Sequence, residues 1–212
     1  MPRKKAKHAY HHGDLPRTLL RVAGDILGEV GVAGFSLREA SRRAGVTIGA
    51  SVHHFGSSRG LLTAVAAGAF ERLCEIFDAA AKRPESPSER LFAALEGYVL
   101  LSRTNPGPFS VMFRWDLLDQ DDAKFAELAP RAHALFTEHV RQAALSYQSD
   151  EKVGLAADSL WAAIHGLVDL GLLEKGSAQE DSRALGPDAR RRLSFLVETF
   201  VGGALNKPGD AP

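Results

Sequence analysis

Residues 36–62, SLREASRRAGVTIGASVHHFGSSRGLL, constrain the fold of this chain more than any other stretch. Ser36 can cap a helix, and Glu39 stands three positions on, the spacing of a capping box. Ala44, Gly45 and Val46 make a turn, with Gly45 free to take the left-handed backbone that ends a helix. A short second helix runs from about Thr47 to Phe55 and Gly56, and Ser57 or Ser58 opens a long third one to about Lys82. A helix, a glycine turn and a short exposed helix are the parts that lay one helix in the major groove of DNA.

Charge is distributed in the same sense. The net charge is zero, but residues 1–60 carry ten lysines and arginines against four acids, and residues 61–212 carry sixteen against twenty-two. A basic head on an acidic body suits phosphate binding at one end. Residues 1–12 read as a mobile basic arm, and the ends 1–7 and 207–212 as disordered. The arm is not followed by an apolar stretch, so no secretory signal is expected. The most apolar window, 153–173, contains Asp158, His165 and Asp169, which are expensive in a bilayer. A protein of the cytoplasm, without a membrane partner, is expected. The one cysteine, Cys74, excludes an internal disulfide and reads as a core residue.

The rest of the chain has helical spacing and no sustained two-residue alternation. The expected fold is therefore all-α, about nine helices: an arm at 1–12, a helix-turn-helix head at 13–60 and a helical body at 61–206. Asp14 can cap a first helix whose apolar face is Leu19, Ala23, Ile26, Leu27 and Val30. Ser86, Pro87 and Glu89 start a helix to about residue 103, and Asn105 with Pro106 restarts the chain. The acidic run at 116–122 reads as a solvated loop or a fraying helix end, and the next helix, to about Tyr147, as one that can break at Pro130. Helices from Ser149 to about Glu174 and over 188–204 complete the body.

A helix-turn-helix reader brings the first residues of its second helix to base edges. Here these are Thr47, Ile48, Gly49, Ala50, Ser51 and His53. Thr47 can hydrogen-bond a base or a phosphate, Ile48 can touch a thymine methyl group, and Gly49 permits close approach. His53 and His54 can donate to phosphate. Ser36, Arg38, Arg42 and Arg43 on the preceding helix face the flanking backbone, with a solvated helix face as the alternative for the arginine pair.

Ser36-Leu37-Arg38-Glu39-Ala40, Arg43-Ala44-Gly45-Val46, Gly49-Ala50, His54-Phe55, Ser57 and Leu61-Leu62 together resemble the TetR family of bacterial transcription regulators. The likeness extends upstream to Tyr10-His11-His12-Gly13-Asp14-Leu15. Trp161-Ala162-Ala163-Ile164-His165-Gly166 resembles the Trp-His-Gly signature of one C-terminal subgroup. The family pattern has Tyr and Lys at the positions of Val52 and Ser58, both typical phosphate contacts, and commonly an apolar residue at Ser51. Weaker, less salt-dependent DNA binding is the expectation, with Arg59 one residue late to compensate.

The resemblance implies a ligand-responsive repressor that binds a palindromic operator, double-stranded DNA, as a homodimer. The alternative is a helical ligand- or protein-binding dimer whose degenerate head holds DNA weakly. The implied small-molecule effector would sit in the body among Phe109, Met112, Phe113, Trp115, Phe136 and Trp161, oriented by Tyr98, Arg103, His133 and His165, with plain core as the alternative for any one aromatic. Leu160, Ile164, Leu167, Leu193 and Phe200 on the last two helices are the candidate dimer contacts, with completion of a monomer core as the other reading. His165 and Asp169 have metal-binding spacing but no third ligand, and no phosphate loop or cysteine–histidine pairing occurs. No metal, cofactor or enzymatic activity is expected.

Overall fold

The computed structural model describes residues 15–144, 149–173 and 184–202. The basic arm, Tyr10 to Asp14, both chain ends and most of the polar loop at 176–187 lie outside the described residues. Among the described residues the chain is all-helical, with no strand. The helices are α1 (Leu15–Val30), α2 (Leu37–Ala44), α3 (Ile48–Phe55), α4 (Ser58–Ala81), α5 (Pro87–Thr104), α6 (Pro106–Met112), α7 (Ala123–Ala143), α8 (Asp150–Asp169) and α9 (Pro187–Val201). One turn of 3-10 helix, Val32–Gly34, follows α1.

Local chemistry accounts for most of the boundaries. Ser86 and Glu89 form a full capping box with Pro87 in the first turn of α5. The box expected at Ser36 forms only by half: Ser36 accepts from the Glu39 N–H, but the Glu39 carboxylate turns to arginines instead. Gly45 ends α2 at φ 71°, the left-handed region. α8 stops at Asp169, short of the expected Glu174. Gly171 takes φ 67° while the Leu172 N–H reaches the Leu167 carbonyl, so the chain turns out of the helix.

α4 is the shared element, and it crosses the expected boundary at residue 60. Its first turns bury Leu61, Leu62 and Val65 with Leu19, Ile26 and Leu27 of α1. Its later turns bury Phe70, Leu73 and Phe77 against α5 and α7. Val30, expected on the buried face of α1, is exposed at the last residue of the helix, where no neighbouring helix covers it. α7 runs through Pro130 without breaking. The ring removes the N–H that would bond the Ala126 carbonyl, but Ala126 and Pro130 are both exposed, so water can replace that bond.

His139 of α7 is buried, and its Nε2–H donates to the Phe77 carbonyl at 2.9 Å. Burial holds its pKa below the ordinary 6.5. The unfolded histidine takes up a proton near that pH and the folded one resists it. The stability is therefore complete above about pH 6.5 and falls as the pH drops below it, by at most about 1.4 kcal/mol per pH unit. Melting temperatures taken between about pH 7.5 and pH 5.5 should decline on the acid side, and less steeply in His139→Gln, whose amide can still donate to Phe77.

Candidate nucleic-acid interface and effector cavity

α3 is short, capped and outward-facing. The Thr47 hydroxyl accepts from the Ala50 N–H at 3.1 Å, which leaves its own hydrogen to donate. Ile48 is 45% exposed and Val52 43% exposed, one turn apart on the same face. Gly49, His53 and His54 are exposed beside them. A Cβ on Gly49 would meet nothing closer than the Thr47 hydroxyl at 3.9 Å, so the bare backbone there reflects an open surface rather than crowding. Phe55 turns inward against the core.

Ser51 does not belong to this surface. It is fully buried, and its hydroxyl lies 2.7 Å from that of Ser41, which donates to the Leu37 carbonyl. The pair pins α3 onto α2 and sets the angle of the exposed helix. A polar residue where apolar ones are common is thus satisfied internally. Ser51→Ala should cost about 1 kcal/mol in thermal or denaturant unfolding and leave any preference among DNA sequences unchanged. A changed base preference would return Ser51 to the reading surface.

The arginines of α2 are less free than the sequence suggests. The Glu39 carboxylate accepts from Arg42 at 2.7 and 2.8 Å and from Arg43 at 2.7 Å, and Arg43 also donates to Glu29 at 2.6 Å. Hydrogen bonds from Arg42 first, then Arg43, hold the Glu39 pKa down to about 2. Two cations are thereby matched by two anions beside α3. Arg38 is exposed outside this cluster, and Ser36 is half-buried at the helix start.

Arg59, expected as a phosphate contact, points to the body. Its guanidinium donates to the Leu118 carbonyl at 2.7 Å and the Asp116 carbonyl at 3.2 Å. One turn on, buried Thr63 donates to the Arg59 carbonyl at 2.8 Å and accepts from the Asp119 N–H at 2.9 Å. The acidic run at 116–122 is therefore not a free solvated loop. Leu118 is buried, and α4 grips the segment from the head side.

The body holds a cavity of about 540 Å3, within the usual range for a small-molecule site. Its walls are Phe70 of α4, Phe113, Trp115 and Gln120 of the α6–α7 segment, Phe125, Ala126, Ala129, Pro130 and His133 of α7, and Trp161 of α8. Of the expected pocket residues Phe113, Trp115, His133 and Trp161 line it. Tyr98, Phe109, Met112 and Phe136 are core. Tyr98 and His165 pair behind the wall, with the hydroxyl 2.8 Å from Nδ1. Burial raises the Tyr98 pKa and lowers that of His165, which favours the neutral form of each. Phe70 and Phe125 carried no sequence signal as wall residues, because aromatics at helical spacing look alike until helix register is known.

The candidate dimer contacts need the same correction. Leu160, Ile164 and Leu193 are fully covered within the subunit and cannot touch a partner, whereas Leu167 and Phe200 are half-buried. What α8 and α9 leave outside is Leu155, 61% exposed, and Phe195, 66% exposed. Among the described residues no helix is long and apolar enough to cross a membrane, and no group of three or more potential ligands could hold a metal ion.

Residues 91–198 match the family model described as Tetracyclin repressor-like, C-terminal domain. A comparison with curated proteins finds no match. Among solved structures, a protein of unknown function from a Rhodococcus species is 25% identical and superposes with a TM-score of 0.72, over 93% of this chain and 99% of that one. The TetR family transcriptional regulator PfmR from Thermus thermophilus is 18% identical with a TM-score of 0.64, over 89% of this chain and 99% of that one. A bacterial regulatory protein in the tetR family from Rhodococcus is 19% identical with a TM-score of 0.67, over 91% of this chain and 98% of that one.

Proposed function

This chain belongs to the TetR family of transcriptional regulators, and from that premise we propose that it is a ligand-responsive repressor that holds a palindromic operator as a homodimer. Membership also sets it apart from enzymes. The observation that carries the operator reading is α3, an exposed helix whose cap, buttress and inward Phe55 hold it rigid while Ile48, Gly49, Val52 and His53 face outward. In this reading residues 13–60 are the DNA-binding head and 61–206 the sensing and dimerising body. Thr47 and Ile48 meet base edges, and His53, His54 and Arg38 meet the backbone.

A second reading has its own support. Arg42 and Arg43 are matched by Glu39 and Glu29, Arg59 is engaged with the body, and Val52 and Ser58 are neutral. Among the described residues of the head, four of six arginines are engaged in this way or with Asp25, which suits a protein that senses ligands or partners and holds DNA weakly. Mobility shift of the purified protein on DNA from its own upstream region, at low and moderate salt, separates the two. A shift that resists competitor DNA supports the repressor. Binding that salt and competitor both erase supports the weak head.

A further inference from the structure

The cavity has aromatic walls and no charged group of its own. No lysine, arginine, aspartate or glutamate lines it. Lys124 and Arg131 of the same helix face the other way and pair with Glu71 and Asp78. The His133 ring nitrogen at the rim is occupied by Asp158 at 2.9 Å. Gln120 is the other polar wall residue, and its amide donates to the Trp115 carbonyl at 3.4 Å, which leaves its oxygen as an acceptor. An anion entering this space would lose its water without gaining a cation.

A cation fares little better. Several wall rings meet edge to face, Phe70 with Phe113 at 79°, Trp115 with Phe125 at 69°, and Phe113 with Trp161 at 78°, while Phe70 and Trp115 are tilted at 33°. Such an array presents positive ring edges as well as negative faces, so it is not an all-face cage for a cation. A flat neutral ring system satisfies both, stacking on faces and meeting edges. The mouth at Ala126 and Pro130 is open to solvent and gives it a way in.

One wall of the cavity is also the segment that the head holds. Trp115 and Gln120 bracket the carbonyls of Asp116 and Leu118, to which Arg59 donates, and the Asp119 N–H, which donates to Thr63. Arg59 is the second residue of α4, three residues past Gly56, which caps α3. A molecule that moves Trp115 aside pulls on the first two turns of α4 through these bonds.

We propose that the cavity binds an uncharged, flat aromatic molecule, and that its occupancy is transmitted to the head through Arg59 and Thr63. The binding step stands on the cavity alone, whereas its consequence for DNA rests on the regulator reading above. A ligand shifts the head only as far as it prefers the cavity with the segment displaced.

Three fluorescent probes, each titrated with the full-length protein, test the ligand class. N-phenyl-1-naphthylamine is neutral, 1-anilinonaphthalene-8-sulfonate adds a negative charge to the same skeleton, and ethidium is a flat cation. The neutral probe should bind at least about tenfold more tightly than either charged one. Ala126→Trp, which fills the exposed mouth, should remove that binding. Equal or tighter binding of the sulfonate or ethidium, no binding of the neutral probe, or undiminished binding to Ala126→Trp overturns the ligand class or the site.

Hydrogen exchange tests the transmission without DNA. Saturation with the neutral probe should change amide exchange in residues 58–64 several-fold in the wild-type protein. The effect should shrink in Arg59→Met, an exposed substitution, and disappear in Arg59→Met/Thr63→Val, while probe affinity stays within about twofold. A response in α4 that survives the double substitution, or none in the wild type, overturns the route. A last arm uses a duplex selected by the wild-type protein from a random pool. The probe should alter its binding, and the double variant should bind it without that response. Failure to select any duplex sinks the regulator reading and leaves the fluorescence and exchange results to decide the proposal.

Discussion

Phe195→Glu is expected to leave the proposed homodimer monomeric in sedimentation and to lower affinity for a two-half-site duplex by at least about a hundredfold. Phe195 is 66% exposed on α9, and Leu155, 61% exposed on α8, is the neighbouring helix's outward apolar residue. On α8 the residues in line with Leu155 are Ser159 and Ala162, both exposed and small enough for a partner helix to approach closely. Burying a phenyl ring contributes about 1.5–3 kcal/mol, and in a two-fold interface the same residue counts twice. A glutamate in its place withdraws that contribution and presents a carboxylate that must lose water. Val30→Ser is the control, because Val30 is also exposed but lies in the head. A Phe195→Glu protein that stays dimeric would move the interface elsewhere.

The second large effect is expected at Gly107, in the first turn of α6. A Cβ there would lie 2.1 Å from the Gly24 carbonyl oxygen and 2.7 Å from the Gly28 nitrogen, both backbone atoms of α1. Neither can swing away as a side-chain tip would, so α1 and α6 must separate. Gly107→Ala should therefore lower stability by on the order of 3 kcal/mol, about 6–12 °C in melting temperature for a chain of this size. Gly68→Ala on α4 meets open space and should instead leave stability unchanged or raise it by up to about 1 kcal/mol. Because α1 is in the head and α6 in the body, Gly107→Ala should also loosen the head. Faster amide exchange across α1 would show it, and an unchanged melting temperature would count against so close a crossing.

The two junctions have one element in common. α6 holds α1 at the Gly107 crossing, and the segment that leaves α6 is held by Arg59 and Thr63 of α4. The head is thus attached to the body on both sides of a single short helix and its trailing segment. The same segment supplies Phe113, Trp115 and Gln120 to the cavity.

Much of the fold is local, and what is local could be read in advance. Ser36, Gly45, Thr47, Gly56, Ser57, Ser86 and Pro87 act within a few residues of their own positions, so the starts and stops of α2 to α5 are legible in the chain itself. Buried stripes such as Leu61, Leu62, Val65, Leu73 and Phe77 follow from helical period alone. The misreadings involve residues whose partner is distant in sequence. Ser51 has the position of a base contact, but Ser41 of the preceding helix holds its hydroxyl. Arg59 resembled a phosphate contact until the carbonyls of Asp116 and Leu118 claimed it.

Periodicity shows that a helix has an apolar face but not which neighbour covers it. Leu160, Ile164 and Leu193 face inward while Leu155 and Phe195 face outward, and this depends on how α8 and α9 lie against α5 and α7. Cavity walls are harder still, since Phe70, Trp115, Phe125 and Trp161 come from four separate segments and differ from core aromatics only by a gap between them. The sequence by itself therefore determined the helical class, the helix-turn-helix and the family, because caps, turns and amphipathic period act over one or two turns of chain. Only the tertiary structure decided which side chains face solvent, which line the cavity and which tie head to body, because each depends on contacts between residues tens of positions apart.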